Sequence, residues 1–197
     1  MQEQEIDIEA LKKDENFIAD MKKFEEEMYG EKSIEKGYML LGTKMAIKAS
    51  EDEINDIFTF IVNQAFDVLA ENLTNHKGFS ITNPEELATA RAIYEHGIQR
   101  YSEKDIKGAK EIFLVLSHTI EDDDLKDSMM IHACAVMAGH TLDDFLEKLA
   151  DTSQIDENNP TAFFIQDYVQ PRDILLQMFA KYVKLGKADL KVLEESK

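Results

Sequence analysis

Two histidines in this chain of 197 residues are each followed, one helical turn later, by carboxylates. Glu121 lies three residues after His118, and Asp143 and Asp144 lie three and four residues after His140. Residues three or four positions apart share one face of a helix, and imidazole with carboxylate is a common set of zinc ligands. A metal-dependent hydrolase built from His118, Glu121, His140 and Asp143 is therefore one alternative.

A structural role explains the same histidines more simply. His118 lies near the predicted end of one helix, where a cationic side chain is favoured. His140 precedes the predicted start of another helix, where acidic residues are favoured. The chain has no paired Glu-x-x-His, no G-x-S-x-G, no phosphate-binding glycine loop, no H-E-x-x-H and no C-x-x-C. We therefore predict a non-enzymatic protein with no catalytic residue, no metal and no cofactor.

The single cysteine, Cys134, lies in the apolar run HACAVMAG and has no second cysteine with which to form an internal disulfide. This context predicts a small buried residue rather than a nucleophile. The stretch MQEQEIDIEALKKDEN lacks the basic and then apolar regions of a secretory signal. No apolar run approaches the roughly 20 residues that span a bilayer. We therefore predict a cytoplasmic protein without direct membrane insertion.

The charge of the chain is strongly acidic. Forty acidic residues against 22 basic ones give a formal net charge of -18 at pH 7. This charge repels phosphate backbones, and we find no basic patch in the sequence, so we predict no binding to nucleic acid. An acidic surface attracts basic partner segments, although the simpler interpretation is a solvated exterior.

The composition and periodicity of the chain predict an all-α fold. Hydrophobic residues make up 44% of the chain, whereas 3 Pro, 8 Gly and no Trp leave few turn signals. Helical spacing predicts a charged helix within residues 1–29 that ends at Gly30, a second helix over 33–49, and a long helix that follows a capping box at Ser50 and Glu53 and extends to Leu73.

The stretch from Asn75 to Pro84 is the clearest break in the chain. After it the sequence predicts six helices, at Glu85–Tyr101, Asp105–Thr119, Leu125–Ala138, Thr141–Ala150, Thr161–Val169 and Arg172–Leu185, the last one ending near Gly186. We therefore divide the chain into an N-terminal helical arm (1–82), a region of degenerate helical hairpins (83–186) and a charged C-terminal tail (187–197).

Residues 90–118 resemble a tetratricopeptide repeat. Gly97 falls at the small residue of the first helix, Tyr101 at its end, Ile106 at the start of the second helix, Ala109 at the small crossing residue and Phe113 at the aromatic position one turn later. Poorer copies can be laid on residues 126–151 and 160–185. Stacked short hairpins of this kind bury a shared core, which favours a repeat architecture. An ordinary α-helical bundle is the alternative.

Within that family, three stretches resemble the class II chaperones of type III secretion translocators. These are ITNPEELATARAIYEHG, YSEKDIKGAKEIFLVL and NNPTAFF. The resemblance implies a cytoplasmic, non-enzymatic chaperone that holds a hydrophobic partner segment in a concave groove until export. The helices before Glu85 are longer than the N-terminal arm usual in that family.

The repeat register then predicts which side chains bind the partner. The first helix of each hairpin lines the groove, which projects the following residues into it: Arg91, Tyr94, Ile98, Tyr101, Met130, Cys134 and Met137. Tyrosine and methionine suit an apolar or amphipathic protein segment. Two alternatives remain open. The same residues can be core covered by the N-terminal helices, or the apolar segment 34–73 can make the protein a self-associating scaffold, such as a homodimer.

Overall fold

A computed structural model describes residues 8–154, 156 and 158–195, and within these ranges the fold is all-α, as predicted. The first seven residues of the predicted arm, residues 155 and 157, and the last two residues of the predicted tail lie outside the described residues. Two compact units divide the chain, the first ending at Asp67 and the second beginning at Val68. The division falls inside a single long helix.

The first unit contains the short helix α1 (Ile8–Leu11), α2 (Glu15–Glu31), α3 (Ile34–Ala46) and the first part of α4 (Glu51–Asn75). The predicted capping box before α4 is confirmed, because the Glu53 N–H donates to Ser50 Oγ at 3.3 Å and the Ser50 N–H donates to Glu53 Oε2 at 3.2 Å. The prediction that Gly30 ends the charged helix within residues 1–29 is wrong, because α2 continues to Glu31. Lys32, with a φ of 56°, takes the left-handed conformation that ends α2.

The core of the first unit is a small apolar cluster contributed by its three longer helices: Met28, Ile34, Leu40, Ile57, Ile61 and Ala65. A Cβ atom on Gly37 would lie 2.7 Å from Ile61 Cγ1, so α3 approaches α4 closely at this glycine. Gly42, by contrast, has no atom within 4 Å of such a Cβ. The two glycines of α3 therefore differ in role, since only Gly37 is required by packing.

The second unit begins within α4 and continues with the four helices that the sequence predicts after residue 84. They are α5 (Pro84–Ser102), α6 (Ile106–Thr119), α7 (Asp123–Ala138) and α8 (Leu142–Lys148). The side chains of Asn83, Asp105, Asp122 and Thr141 cap their N-termini, and Gly139 (φ 87°) ends α7. α6 packs against both α5 and α7, and α5 also contacts α8.

Four non-glycine residues have a positive φ within the described part of the chain: Lys32 (56°), Lys48 (53°), His76 (54°) and Lys104 (63°). Each lies at or just after the end of a helix, and Lys104 forms the tight turn between α5 and α6. Because that turn is short, α5 and α6 are antiparallel neighbours, as the sequence predicts.

The predicted third hairpin does not form. Residues 160–170 contain turns and extended backbone instead of the predicted helix Thr161–Val169. The reason is local, because Asn159 Oδ1 accepts hydrogen bonds from the Thr161 N–H (3.0 Å) and hydroxyl (2.9 Å), an arrangement that favours a turn over a helix. Further along, the Val169 N–H donates to Leu149 O at 3.0 Å, and Ala150 pairs with Tyr168 as an isolated antiparallel bridge.

The C-terminal helices also differ from the prediction. α9 (Arg172–Met178) ends before Phe179, and α10 (Ala180–Glu195) continues through Gly186, so the predicted end near Gly186 is wrong. A Cβ atom on Gly186 would lie 2.7 Å from Leu114 Cδ2. The glycine therefore permits close packing of α10 on α6, whereas the sequence pattern suggested a helix end. α10 also packs on α7 and α9.

Candidate binding face

Residues 158–170, here called the covering segment, lie across the α5 and α7 side chains that the sequence assigns to a groove. The Ile165 N–H donates to the Tyr94 hydroxyl at 3.0 Å, and the Phe164 ring lies 5.0 Å from the Tyr94 ring in an edge-on arrangement. The Arg91 guanidinium lies 4.9 Å from the centre of the Phe163 ring, in cation–π geometry. A non-helical piece of the chain, with turns over residues 158–164, is thus held through its aromatic side chains and one backbone amide.

A buried hydrogen-bonded chain lies beneath the covering segment. The Tyr94 hydroxyl lies 3.2 Å from His132 Nε2, and His132 Nδ1 lies 2.7 Å from the carbonyl oxygen of Ser128. Because a carbonyl oxygen only accepts, Nδ1 carries the proton and Nε2 accepts from Tyr94. The Tyr168 hydroxyl, from the covering segment, also donates to the Ser128 carbonyl at 3.3 Å. The covering segment is therefore connected to both α5 and α7.

Burial shifts the pKa values of these groups in the direction expected for removal from water. Burial lowers the pKa of His132 to about 4, and the hydrogen bond to the Ser128 carbonyl opposes this shift. Burial raises the pKa of Tyr94 above its ordinary value, with the Ile165 N–H opposing it. At neutral pH both side chains are uncharged, so the chain of hydrogen bonds holds neutral groups only.

Tyr101 connects the end of α5 to the turn before α8. Its hydroxyl donates to the carbonyl oxygens of His140 (2.8 Å) and Thr141 (3.2 Å), and its ring lies 6.3 Å from those of Phe113 and Phe145. Only 1% of Tyr101 is exposed. The side chain is therefore a core contact of the second unit.

α10 covers the α7 residues that the sequence assigns to the groove. A Cβ atom on Gly186 would lie 3.5 Å from Met130 Sδ and 3.6 Å from Met137 Cε. Cys134 is fully buried, as predicted, and burial raises the pKa of its thiol to about 12. A thiol in this state is protonated at neutral pH and unreactive.

The sequence-based picture of an open groove therefore needs correction. Four of the seven assigned residues are buried, namely Tyr94, Tyr101, Met130 and Cys134, and three are half-buried, namely Arg91, Ile98 and Met137. The structure does bring all seven onto α5 and α7 of one unit. The covering elements described above are residues 158–170 and α10, both C-terminal to α7, whereas the sequence analysis considered the N-terminal helices for this role.

Gly97 lies at the contact between α5 and α6, and the small residue Ala109 of α6 is buried. A Cβ atom on Gly97 would lie 2.8 Å from Ile112 Cγ2 and 3.0 Å from Phe113 Cε1, and Ala109 is fully buried. In the second hairpin the equivalent position is Phe145, which is fully buried. Its ring lies 4.5 Å from the His132 ring, so this hairpin is filled by an aromatic side chain.

The residues of the metal-site alternative are not arranged as ligands. His118 is exposed at the end of α6, and the His140 ring lies 6.1 Å from the Phe179 ring. Asp144 completes a capping box with Thr141 at the start of α8, which is the structural role predicted for an acid at this position. Among residues 8–154, 156 and 158–195, no group of three or more His, Cys, Asp and Glu side chains could hold a metal ion.

Sequence reasoning missed His132, Ser128, Phe163, Phe164 and Tyr168. The signal for His132 was present, because a histidine inside the apolar run MMIHACAV, four residues after a serine, needs a buried partner. The two phenylalanines were assigned to the start of a helix. Their contacts with α5 join residues about 70 positions apart, which no local pattern indicates.

No helix within the described ranges has both the length and the apolar character to cross a bilayer. Comparison of the chain with protein-family models, with curated proteins and with solved structures finds no match.

Proposed function

We propose that this chain is a non-enzymatic protein-binding module whose α5–α7 face accepts an apolar segment of a partner protein. One observation carries the proposal. The face already holds a non-helical segment of its own chain, through the kinds of contact that a bound peptide makes: aromatic side chains, a cation–π contact and a backbone amide bonded to Tyr94. These contacts are typical of peptide recognition by preformed side chains.

The covering segment acts in this proposal as an internal competitor. A tethered segment has an effective concentration of about 1 mM, so a partner must bind well enough to displace it. Displacement exposes Tyr94 and its apolar neighbours, which the partner then buries. The acidic exterior of the chain, with a net charge of -18, keeps the complex dispersed.

The resemblance to type III secretion chaperones supports a finer version of the proposal. In it, the partner is a hydrophobic segment of a secreted or membrane-destined protein, held in the cytoplasm until export. The repeat-like crossing of α5 and α6 at Gly97 is consistent with this version, since such hairpins present a concave face to a partner.

The proposal predicts that loosening the covering segment opens the face. A labelled peptide with the sequence of residues 158–170, NNPTAFFIQDYVQ, supplies the probe. We expect Phe163→Ala with Phe164→Ala to bind this peptide about tenfold or more tightly than the wild type, because the internal competitor is weakened. Fluorescence anisotropy measures the dissociation constants.

A matched control changes the exposed end of the same segment. Val169 is 54% exposed and Gln170 is exposed, so Val169→Ala with Gln170→Ala leaves the anchors in place and should bind like the wild type. Phe164 is buried, so circular dichroism checks folding, and the single variant Phe163→Ala repeats the comparison at a half-buried position. Folded Phe163 and Phe164 variants that bind the peptide no better than the wild type contradict the proposal.

A further inference from the structure

We propose that a stripe along α9 and α10 docks an acidic amphipathic helix of a partner protein. The stripe consists of four small or aliphatic side chains flanked by three lysines: Leu176, Ala180, Val183 and Ala188, with Lys184, Lys187 and Lys191. Together these line an open trough of about 590 Å³. This surface is separate from the α5–α7 face, so the inference goes beyond the function proposed above.

The stripe is the outer side of helices that are anchored on their other side. Leu175 and Phe179 are buried, and Gly186 is buried where α10 meets Leu114 of α6. The stripe residues recur every three or four positions, so they share one helical face that continues across the break between α9 and α10. On this face Ala180 and Ala188 are exposed. The described residues therefore fix one side of α10 and leave the other side in contact with water.

Three lysines of α10 place positive charge along the stripe. Lys110, for comparison, pairs with Asp189 of α10 at 2.8 Å. Among the described side chains, no carboxylate oxygen lies within 4.0 Å of the ammonium groups of Lys184, Lys187 and Lys191, although Lys187 is near enough to Asp127 to act on the pKa of its carboxyl. Three lysines thus border an apolar strip and form a local basic patch, which the sequence did not predict.

An acidic helix fits this surface in shape and in charge. Ala180 and Ala188 lie two turns apart and leave a shallow trough, into which larger apolar side chains of a second helix can pack. Carboxylates on the edges of that helix would then meet the three lysines. A helix of about 18 residues, roughly 27 Å long, covers the stripe from end to end.

An anionic membrane is the less favoured occupant. Interfacial helices insert bulky apolar side chains into the bilayer, whereas this stripe has alanines at its centre. A charged bilayer also presents an extended negative surface, which repels a chain of net charge -18 as a whole. A single helix contacts only the stripe and its lysines. Its binding therefore depends on the positive charge of the stripe and not on the net charge of the chain.

The test uses the full-length chain and a designed 18-residue helical peptide with leucines on one face and glutamates beside them. We expect the wild type to bind this peptide and to bind at least tenfold more weakly a version in which lysines replace the glutamates. Lys184→Glu with Lys187→Glu and Lys191→Glu should weaken binding of the acidic peptide about tenfold or more. Anisotropy at low salt measures all of these constants.

A control variant with the same change in net charge distinguishes the effect of losing the stripe lysines from the effect of a more negative chain. Lys22→Glu with Lys23→Glu and Lys107→Glu changes three exposed lysines elsewhere by the same amount and should bind the acidic peptide like the wild type. Absence of binding by the wild type, or equal weakening in both triple variants, overturns the inference. So does sedimentation of the wild type with phosphatidylserine vesicles without binding to the peptide. The NNPTAFFIQDYVQ measurement is independent of these variants, so the two proposals fail separately.

Discussion

The hydrogen bonds around His132 favour its neutral form. Its Nδ1 proton goes to the Ser128 carbonyl, and its Nε2 accepts from the Tyr94 hydroxyl, whose oxygen accepts from Ile165. A second proton on the ring would deprive the Tyr94 proton of its acceptor inside a buried site. Because an unsatisfied buried donor costs about 1–3 kcal/mol, one proton disturbs both the helix pair and the covering segment.

The free energy of unfolding should therefore fall in mild acid. The ordinary pKa of histidine, 6.5, applies to the unfolded chain, and the folded value is about 4. Between these values the unfolded state binds more protons, so stability is complete above about pH 6.5 and is lost as the pH falls towards 4, by about 3 kcal/mol. Urea unfolding at pH 7.5, 5.5 and 4.5 measures this change.

Carboxylates also titrate in acid and change the stability of the protein. The contribution of His132 is therefore measured by comparing the loss of unfolding free energy in the wild type and in a variant. His132→Gln removes the titration and should lose less stability between pH 7.5 and 4.5 than the wild type. An identical loss in His132→Gln and the wild type would show that His132 does not control the acid response.

At the scale of elements, the helices of the second unit pack through small residues at defined positions. Gly97 allows α5 to approach Ile112 and Phe113 of α6, whereas Gly42 of α3 faces open space. The same substitution should therefore have opposite signs at the two sites.

Alanine at Gly97 should destabilise the protein by about 1–3 kcal/mol, because the new methyl group overpacks the crossing. Alanine at Gly42 should stabilise it by about 0.5–1 kcal/mol, because alanine favours the helix and nothing obstructs it. Chemical denaturation of both variants beside the wild type measures the two changes. Destabilisation by both, or by neither, would contradict the packing described for Gly97.

The sequence predicted the helices from α5 to α8 because their signals are local. Asn83, Thr141 and Gly139 each determine a helix end through neighbouring backbone groups. It failed at residues 160–170, where the turn centred on Asn159 competes with the helix that the pattern favours. It failed again at Gly186, because close packing against Leu114 is a long-range contact. The candidate site shows the same division. The sequence predicted α5 and α7, which form the site, but it did not predict the covering segment that lies across them.

The whole molecule carries exposed apolar side chains that its own core does not use. In the first unit, Met39 and Met45 of α3 are 58% and 59% exposed, and Ile18 of α2 is 51% exposed. Contiguous exposed apolar surface is typical of association sites, and these side chains are the residues at which the self-associating scaffold, the alternative to a monomeric binding module, is tested.

If the protein is a self-associating scaffold, its oligomeric mass in solution should depend on the exposed side chains of α3. The wild type should scatter light as a dimer at micromolar concentration, and Met39→Glu with Met45→Glu should scatter as a monomer, because buried carboxylates at an interface are strongly unfavourable. Met178→Glu, at a residue of α9 that is 69% exposed, is the matched control and should leave the mass unchanged. A wild type that is monomeric at every concentration would refute the scaffold.

The left-handed residues at the helix ends are positions at which a substitution can raise the stability of the protein. Lys32, Lys48, His76 and Lys104 each hold a conformation that costs a residue with a Cβ atom about 1 kcal/mol relative to glycine. Three of them are lysines, whose charge partly offsets this cost at the negative end of a helix. Glycine at these positions would need no other adjustment of the fold. Replacement of these residues by glycine should therefore raise the free energy of unfolding, and this gain would offset destabilising substitutions elsewhere in the chain.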